Sequence, residues 1–168
     1  KRTILFIGFA GEKFGLLGAQ AWVKAHKDKL PKIANLFNRD GGPEPPVGIS
    51  VPQAMYDDFV KISEPIQKIR PDYPFEVKVR EPRKRPTRMG GTDASVFAIE
   101  GVPTLGFTTE DFKGYDFDYG EIWHTERDLY TKNIPEYQEH TATVTAIIAL
   151  GVANLDKQLS REGLYTEE

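Results

Sequence analysis

Gly11-Glu12-Lys13-Phe14-Gly15 sets an acid beside a base between two glycines. An apolar run from Ile4 to Phe9 leads into it, and Leu16-Leu17-Gly18-Ala19 follows. A carboxylate in that setting stands at the C-terminal end of a strand, where open α/β sheets gather their chemistry. Glu12 there can serve as a general base. It can equally be an ordinary acid favoured by the positive end of a helix. Asp40, in Asn38-Arg39-Asp40-Gly41-Gly42, is a second carboxylate fixed by backbone; it reads as an Asx-type turn residue or as a group reaching into a crevice. His124 lies in Ile122-Trp123-His124-Thr125-Glu126-Arg127-Asp128 and can be a metal ligand, an acid/base or a packed polar side chain. Thr125 fits a cap on the turn through Asp128.

Other reactive types point to structure. Asp93, in Gly90-Gly91-Thr92-Asp93, reads as a helix-start acid. His140 reads as a solvated or core-edge residue of a long helix, and His26 as a helix-end residue suited to the negative end of the dipole. The cluster Arg80, Arg83, Lys84, Arg85 and Arg88 is a solvated loop or a holder for a carboxylate.

These groups need elements to position them. Thr3 to Phe9 reads as a buried strand and Phe14 to His26 as a helix. Ile33 to Asn38 reads as a second strand, closed by the turn Arg39 to Pro43. Gly42 to Ser50 is a Pro/Gly loop, and Val51 to Ile69 a helix with Pro52 in its first turn and a break or kink at Pro65. Phe75 to Val79 alternates as a half-exposed strand. Arg80 to Gly91 is a loop, Thr92-Asp93 caps a helix over Ala94 to Glu100, and Thr104 to Phe107 is a strand. Thr108 to Thr125 is an aromatic, acidic loop. Tyr137 to Leu159 is the clearest helix, with Val144, Ile147, Ile148, Val152, Leu155 and Leu159 on one face. Residues 1–159 form one α/β domain, and 160–168 a polar tail that can fray.

Composition narrows the function. At 168 residues and 39% hydrophobic, the chain suits one domain with a real core. A net charge of −3 disfavours non-specific nucleic-acid binding. No apolar run approaches the ~18 residues of a membrane span. The basic start, Lys1-Arg2, precedes a strand rather than a signal peptide, so a targeting segment would lie upstream. With no cysteine, any metal must be held by carboxylates and by the three histidines.

Gly11 to Gly18, Asn38 to Gly42, Gly91-Thr92-Asp93 with Gly101-Val102-Pro103, and Trp123 to Asp128 follow one another in a characteristic order. Together they resemble the zinc-dependent aminopeptidases with two co-catalytic metals, a family that includes plasma glutamate carboxypeptidase, the glutaminyl cyclases and the transferrin-receptor ectodomain. The resemblance covers nearly all of the chain and the later part of the family's catalytic domain. It implies a three-layer α/β sandwich, with a mixed, mostly parallel sheet between helices, incomplete at its N-terminal side. It further implies a secreted or periplasmic exopeptidase acting on peptide or aminoacyl substrates with two zinc ions. By position, Glu12 resembles the general base, Asp40 a ligand of one zinc and His124 a ligand of the other. Lys13 falls where that second zinc normally receives a carboxylate, and the remaining ligands, a His and a bridging Asp, lie upstream of the matched region. Zinc takes oxygen or imidazole donors at ~2.0–2.2 Å, and an ammonium has no lone pair to give. The expectation is therefore an exopeptidase fold whose present chain is inactive. The alternative is a binding or assembly module of the same fold, with an open sheet edge able to drive self-association.

Overall fold

A computed structural model describes residues 1–166. The sheet is built on β1 (Pro46–Val51), with β2 (Glu76–Val79) on one side and β3 (Phe107–Thr109) on the other. β2 runs parallel to β1, pairing Glu76 with Gly48 and Val79 with Val51. β3 runs antiparallel, pairing Phe107 with Ile49, with a register irregularity between Pro46 and Gly48. The sheet is mixed, as expected. Gly48 is required at its centre, because a Cβ there would run into the Glu76 carbonyl of β2.

Two helices cover this sheet. In α2 (Tyr56–Ile69), Phe59, Ile62 and Ile66 fall on one buried face, while Asp57 and Asp58 in the first turn and Lys68 in the last suit the dipole. In α5 (Pro135–Asn154), Tyr137, His140, Val144, Ile148 and Val152 do the same behind Pro135 at the first helical position. Phe59, Ile62 and Ile66 of α2 and Val144, Ile148 and Val152 of α5 meet Ile49 and Val51 of β1 in one hydrophobic cluster. A second cluster joins α1 (Leu17–Ala25) to α3 (Asp93–Ile99) through Ala19, Val23, Val96 and Phe97, with Leu30 and Val102. Arg161 connects the two regions. Its guanidinium donates to the carbonyls of Leu30, Ile33 and Gly101 at 3.0–3.1 Å and to that of Pro31 at 3.2 Å.

Several elements differ from expectation. Thr3 to Phe9 is not a strand: its backbone groups have no hydrogen-bond partner among the described residues, and Phe6 is 95% exposed. Strong β propensity without a neighbouring strand leaves nothing to form a ladder. Ile33 to Asn38 also forms no strand ladder. It runs beside Pro103 to Leu105 with one backbone bond, Leu36 N–H to the Pro103 carbonyl at 2.9 Å, and the Asn35 amide supplies a second rung by pairing with both backbone groups of Leu105. The Pro/Gly stretch Gly42 to Ser50 holds all of β1 but its last residue, since Val47 and Ile49, with Val51 just beyond, alternate as a strand requires. α2 starts at Tyr56 after a 3-10 turn over Gln53–Met55, and it continues through Pro65. Lys61 and Pro65 both lie on the exposed face, so the carbonyl that Pro65 deprives of a donor is open to water.

β3 begins at Phe107, later than the expected Thr104, and is followed by α4 (Tyr119–Ile122) within the acidic loop. Thr92 holds the N-cap position of α3 without a side-chain cap bond. α5 stops at Asn154, although Leu159 beyond it is still buried. The tail does not fray between Ser160 and Thr166: Leu164 is buried and the Thr166 N–H donates to the Arg83 carbonyl at 3.0 Å. Residues 167 and 168 of the expected tail lie outside the described residues. No helix among the described residues is long and apolar enough to cross a membrane.

Candidate active-site cleft

The local sequence explains how Glu12 and Lys13 are presented. Gly11 (φ 70) and Gly15 (φ 104) take left-handed conformations that close a tight turn around them. The turn is clipped to the start of α1 by Leu17 N–H to the Gly11 carbonyl at 3.2 Å and Gly18 N–H to the Ala10 carbonyl at 2.8 Å. A Cβ on Gly18 would sit 2.7 Å from both the nitrogen and the oxygen of Ala10, so this position holds the turn against the helix only as glycine. On the turn, the Lys13 ammonium meets Glu12 Oε2 at 2.8 Å. Its pKa is raised, first by this hydrogen bond and further by the negative fields of Glu12, Tyr119 and Asp40.

Asp40 stands on a loop braced from within. The Arg39 guanidinium donates to the carbonyls of Gly42 at 2.7 Å and Glu44 at 2.6 Å. The glycine at 42 lets this loop lie against the rings of Phe117 and Tyr119, which a Cβ would approach to 2.9 Å. His124 is exposed, adopts φ 59 and stacks on Trp123 with ring centroids 4.4 Å apart. Thr125 holds this turn as expected, accepting from the Arg127 N–H at 3.2 Å and donating to the Glu121 carbonyl at 2.9 Å.

Lys13, Asp40 and His124 line one cleft of about 720 Å³, together with Tyr119, Trp123 and Asp128. Asp93 is the residue whose role the sequence understated. It opens α3 as a helix-start acid should, yet it is only 9% exposed and its Oδ1 has no hydrogen-bond partner. Burial, then the negative charges of Glu12 and Asp40, push its pKa up. Its place among the four ordered motifs was the available signal. Three carboxylates and one ammonium therefore share a common field.

That arrangement does not fit a zinc centre. The buried, unpartnered Oδ1 of Asp93 would welcome a cation, but the cation beside Glu12 and Asp40 is the side chain of Lys13. Among the described residues, no three His, Asp or Glu side chains stand where they could hold a metal ion. The other candidates turn out to be structural. His26 packs on Trp22 with its Nδ1 2.9 Å from the Trp22 carbonyl, at the end of α1. Arg80, Arg83 and Arg85 bond to Leu164, Thr104 and Ile99, so most of the basic loop fastens the fold. His140 is fully buried, contrary to its expected solvated or core-edge position, because it faces β1 from the core side of α5.

Comparison with known proteins bears on the family and the fold. The chain is 23% identical to carboxypeptidase Q of Mus musculus and 22% identical to that of Rattus norvegicus, each over 166 residues and 96% of this chain. It spans 31% of the length of either relative. Its fold resembles the crystal structure of a Peptidase M28 precursor from Shewanella amazonensis SB2B, with a TM-score of 0.65 at 24% identity over 90% of this chain and 31% of that one. It also resembles an aminopeptidase from Aneurinibacillus sp. strain AM-1, with a TM-score of 0.52 at 14% identity over 92% and 34% of the respective chains. The sequence model of Peptidase family M28 matches residues 1–148, and the chain belongs to Peptidase family M28.

Proposed function

We propose that this chain carries the later part of an aminopeptidase-like zinc exopeptidase domain, and that the chain itself does not hydrolyse peptides. The observation that carries the reading is the Lys13–Glu12 ion pair at 2.8 Å in a cleft shared with Asp40 and His124. Glu12 keeps the place of a general base on a rigid turn. Lys13 puts a fixed cation where the family places a ligand for the zinc that His124 would share, and Asp40 belongs to the other zinc. Two ligand candidates divided between sites do not make a tight metal centre. The cleft remains able to bind a peptide or aminoacyl end, and the Lys13–Glu12 pair favours a binding or assembly role over turnover. A secreted or periplasmic location belongs to the same proposal and is supported by the family alone.

Elemental analysis and hydrolysis of aminoacyl amides under saturating zinc test this directly. The expected result is substoichiometric zinc and no turnover. Lys13→Glu should raise zinc affinity about tenfold or more, equivalent to about 1.4 kcal/mol. Stoichiometric zinc on His124 in the unaltered chain, or release of an amine from the amide substrate, would overturn the proposal.

The apolar stretch Ile4 to Ile7 supports a proposal of self-association. Leu5 is 65% exposed and Phe6 95%, beside a backbone without ladder partners among the described residues. Light scattering coupled to size exclusion should find a mass above that of one chain at high concentration. Replacing Leu5 and Phe6 with Lys and Glu should restore the single-chain mass; a wild type that is already monomeric would count against this association.

A further inference from the structure

Away from the cleft, four parts of the fold meet around Tyr73 and His140. His140 is fully buried on α5, with Nε2 3.0 Å from the Pro46 carbonyl at the start of β1. A carbonyl only accepts, so Nε2 carries the hydrogen and Nδ1 is a bare acceptor. That Nδ1 is buried and has no partner. The imidazole lies flat on the ring of Tyr73, centroids 3.9 Å apart at 14°. The Tyr73 ring also carries the Lys113 ammonium at 4.6 Å and the Arg70 guanidinium at 5.1 Å.

The acids near this stack are already committed. Glu136 binds Lys113 and the Tyr115 hydroxyl, and its carboxyl is pulled down to about 2, first by Lys113. Asp72 binds Lys113 at 3.1 Å, and Glu139 binds Arg70 at 3.0 Å. Asp111 accepts from the Tyr137 hydroxyl at 2.5 Å and from the Tyr115 N–H at 3.0 Å. An imidazolium at 140 would thus find no free acceptor for its new N–H, and it would face Arg70 and Lys113 as like charges. Burial pushes the His140 pKa down, and Arg70 and Lys113 add to the effect; the Pro46 contact and Asp72 oppose it.

The weakest cover over this stack is the segment Asp111 to Asp118. Most of its residues are exposed, whereas α2, α5 and β1 are held by the core. Phe112 and Lys113 reach Tyr73 from it, and the Lys113 N–H donates to the Tyr137 hydroxyl at 2.8 Å. The same segment runs directly into α4, Trp123 and His124, which form one wall of the cleft.

We propose that His140 is an acid-operated latch: while neutral it keeps the segment Asp111–Asp118 closed over Tyr73, and its protonation frees that segment and loosens the α4–His124 wall of the cleft. The sign follows from a native pKa below the unfolded one. The closing free energy is complete above about pH 6.5, the ordinary histidine value, and declines as the pH falls through that value toward the depressed native one. Over that interval each pH unit should make opening about tenfold more frequent.

Hydrogen exchange of the chain at pH 7.5 and 5.5, corrected for the intrinsic rate, reads this out. In the wild type, protection of residues 111–125 should fall at acid pH while amides of α2 and β1 stay protected. In His140→Gln, whose side chain can still donate to the Pro46 carbonyl but does not titrate, protection of the segment should not change with pH. A pH-independent wild type, a parallel fall in both proteins, or exchange of the core together with the segment would each overturn the latch. If the variant does not fold, an NMR titration of the wild type decides. The latch requires His140 to titrate below the ordinary histidine value and the loop amides to move as it titrates; a His140 that titrates at or above that value, or loop amides that do not follow it, refutes the latch.

Discussion

Phe59→Ala should destabilise the chain by about 3–5 kcal/mol, measured as a shift of the chemical-denaturation midpoint at unchanged slope. Phe59 is 0% exposed and sits in the cluster where α2, α5 and β1 meet. Removing its ring takes away the transfer free energy of a large apolar group and leaves a cavity that this neighbourhood closes poorly. On one side Ile49 and Val51 are pinned by the strand ladder, and on the other Val144 and Ile148 belong to a 20-residue helix. Domains of this size are stable by only about 5–15 kcal/mol, so this single change removes a large fraction of the total. A loss below about 1 kcal/mol would mean that the α2–α5 seam is not the main core.

Gly18→Ala is expected to cost about 1–3 kcal/mol, the range for overpacking, and to disturb the cleft as well. The added methyl would meet Ala10 N and O at 2.7 Å, and both are backbone atoms that no side-chain rotation can move aside. The accommodation must come from separating the turn from α1, which breaks the Gly18 N–H bond to Ala10 at 2.8 Å. The Glu12–Lys13 pair rides on that turn, so its geometry shifts with it. Thermal unfolding gives the stability part. Chemical shifts of the Lys13 side chain compared between the two proteins give the other, and unchanged Lys13 signals in a destabilised variant would show that the turn and the helix are uncoupled.

Gly18 also shows what was readable from sequence. The run of glycines at 11, 15 and 18 announced a tight junction between an apolar segment and a helix, and that junction is present. Asp40 and His124 each left alternatives open when read singly and became site candidates only through the ordered motifs; the fold brings both to the lining of one cleft. The raised pKa of Asp93 was not readable from its own segment, because the carboxylates that add to the effect of burial come from residues 12 and 40, far away in the chain. His140 was misjudged on similar grounds. A helical face tells which side of α5 is apolar, but the acceptor that lets a histidine enter that side is the carbonyl of Pro46, 94 residues away. Strand assignments failed where β propensity was taken for pairing. Thr3 to Phe9 has the composition of a strand and no ladder partner among the described residues, whereas Pro46–Val51 hides a central strand behind prolines and glycine.

The four carbonyls gathered by Arg161 bear on where this domain can be cut. Composition suggests trimming at residue 159, where the last apolar residue of the helical pattern gives way to polar ones. A protein shortened there would keep every helix and strand named above, yet it would lose the guanidinium that binds residues 30–33 and Gly101. It would also lose Leu164 from the core around α2 and α5. The closing segment works as a tie rod between two packed halves, so the functional boundary of this domain lies beyond its compositional one.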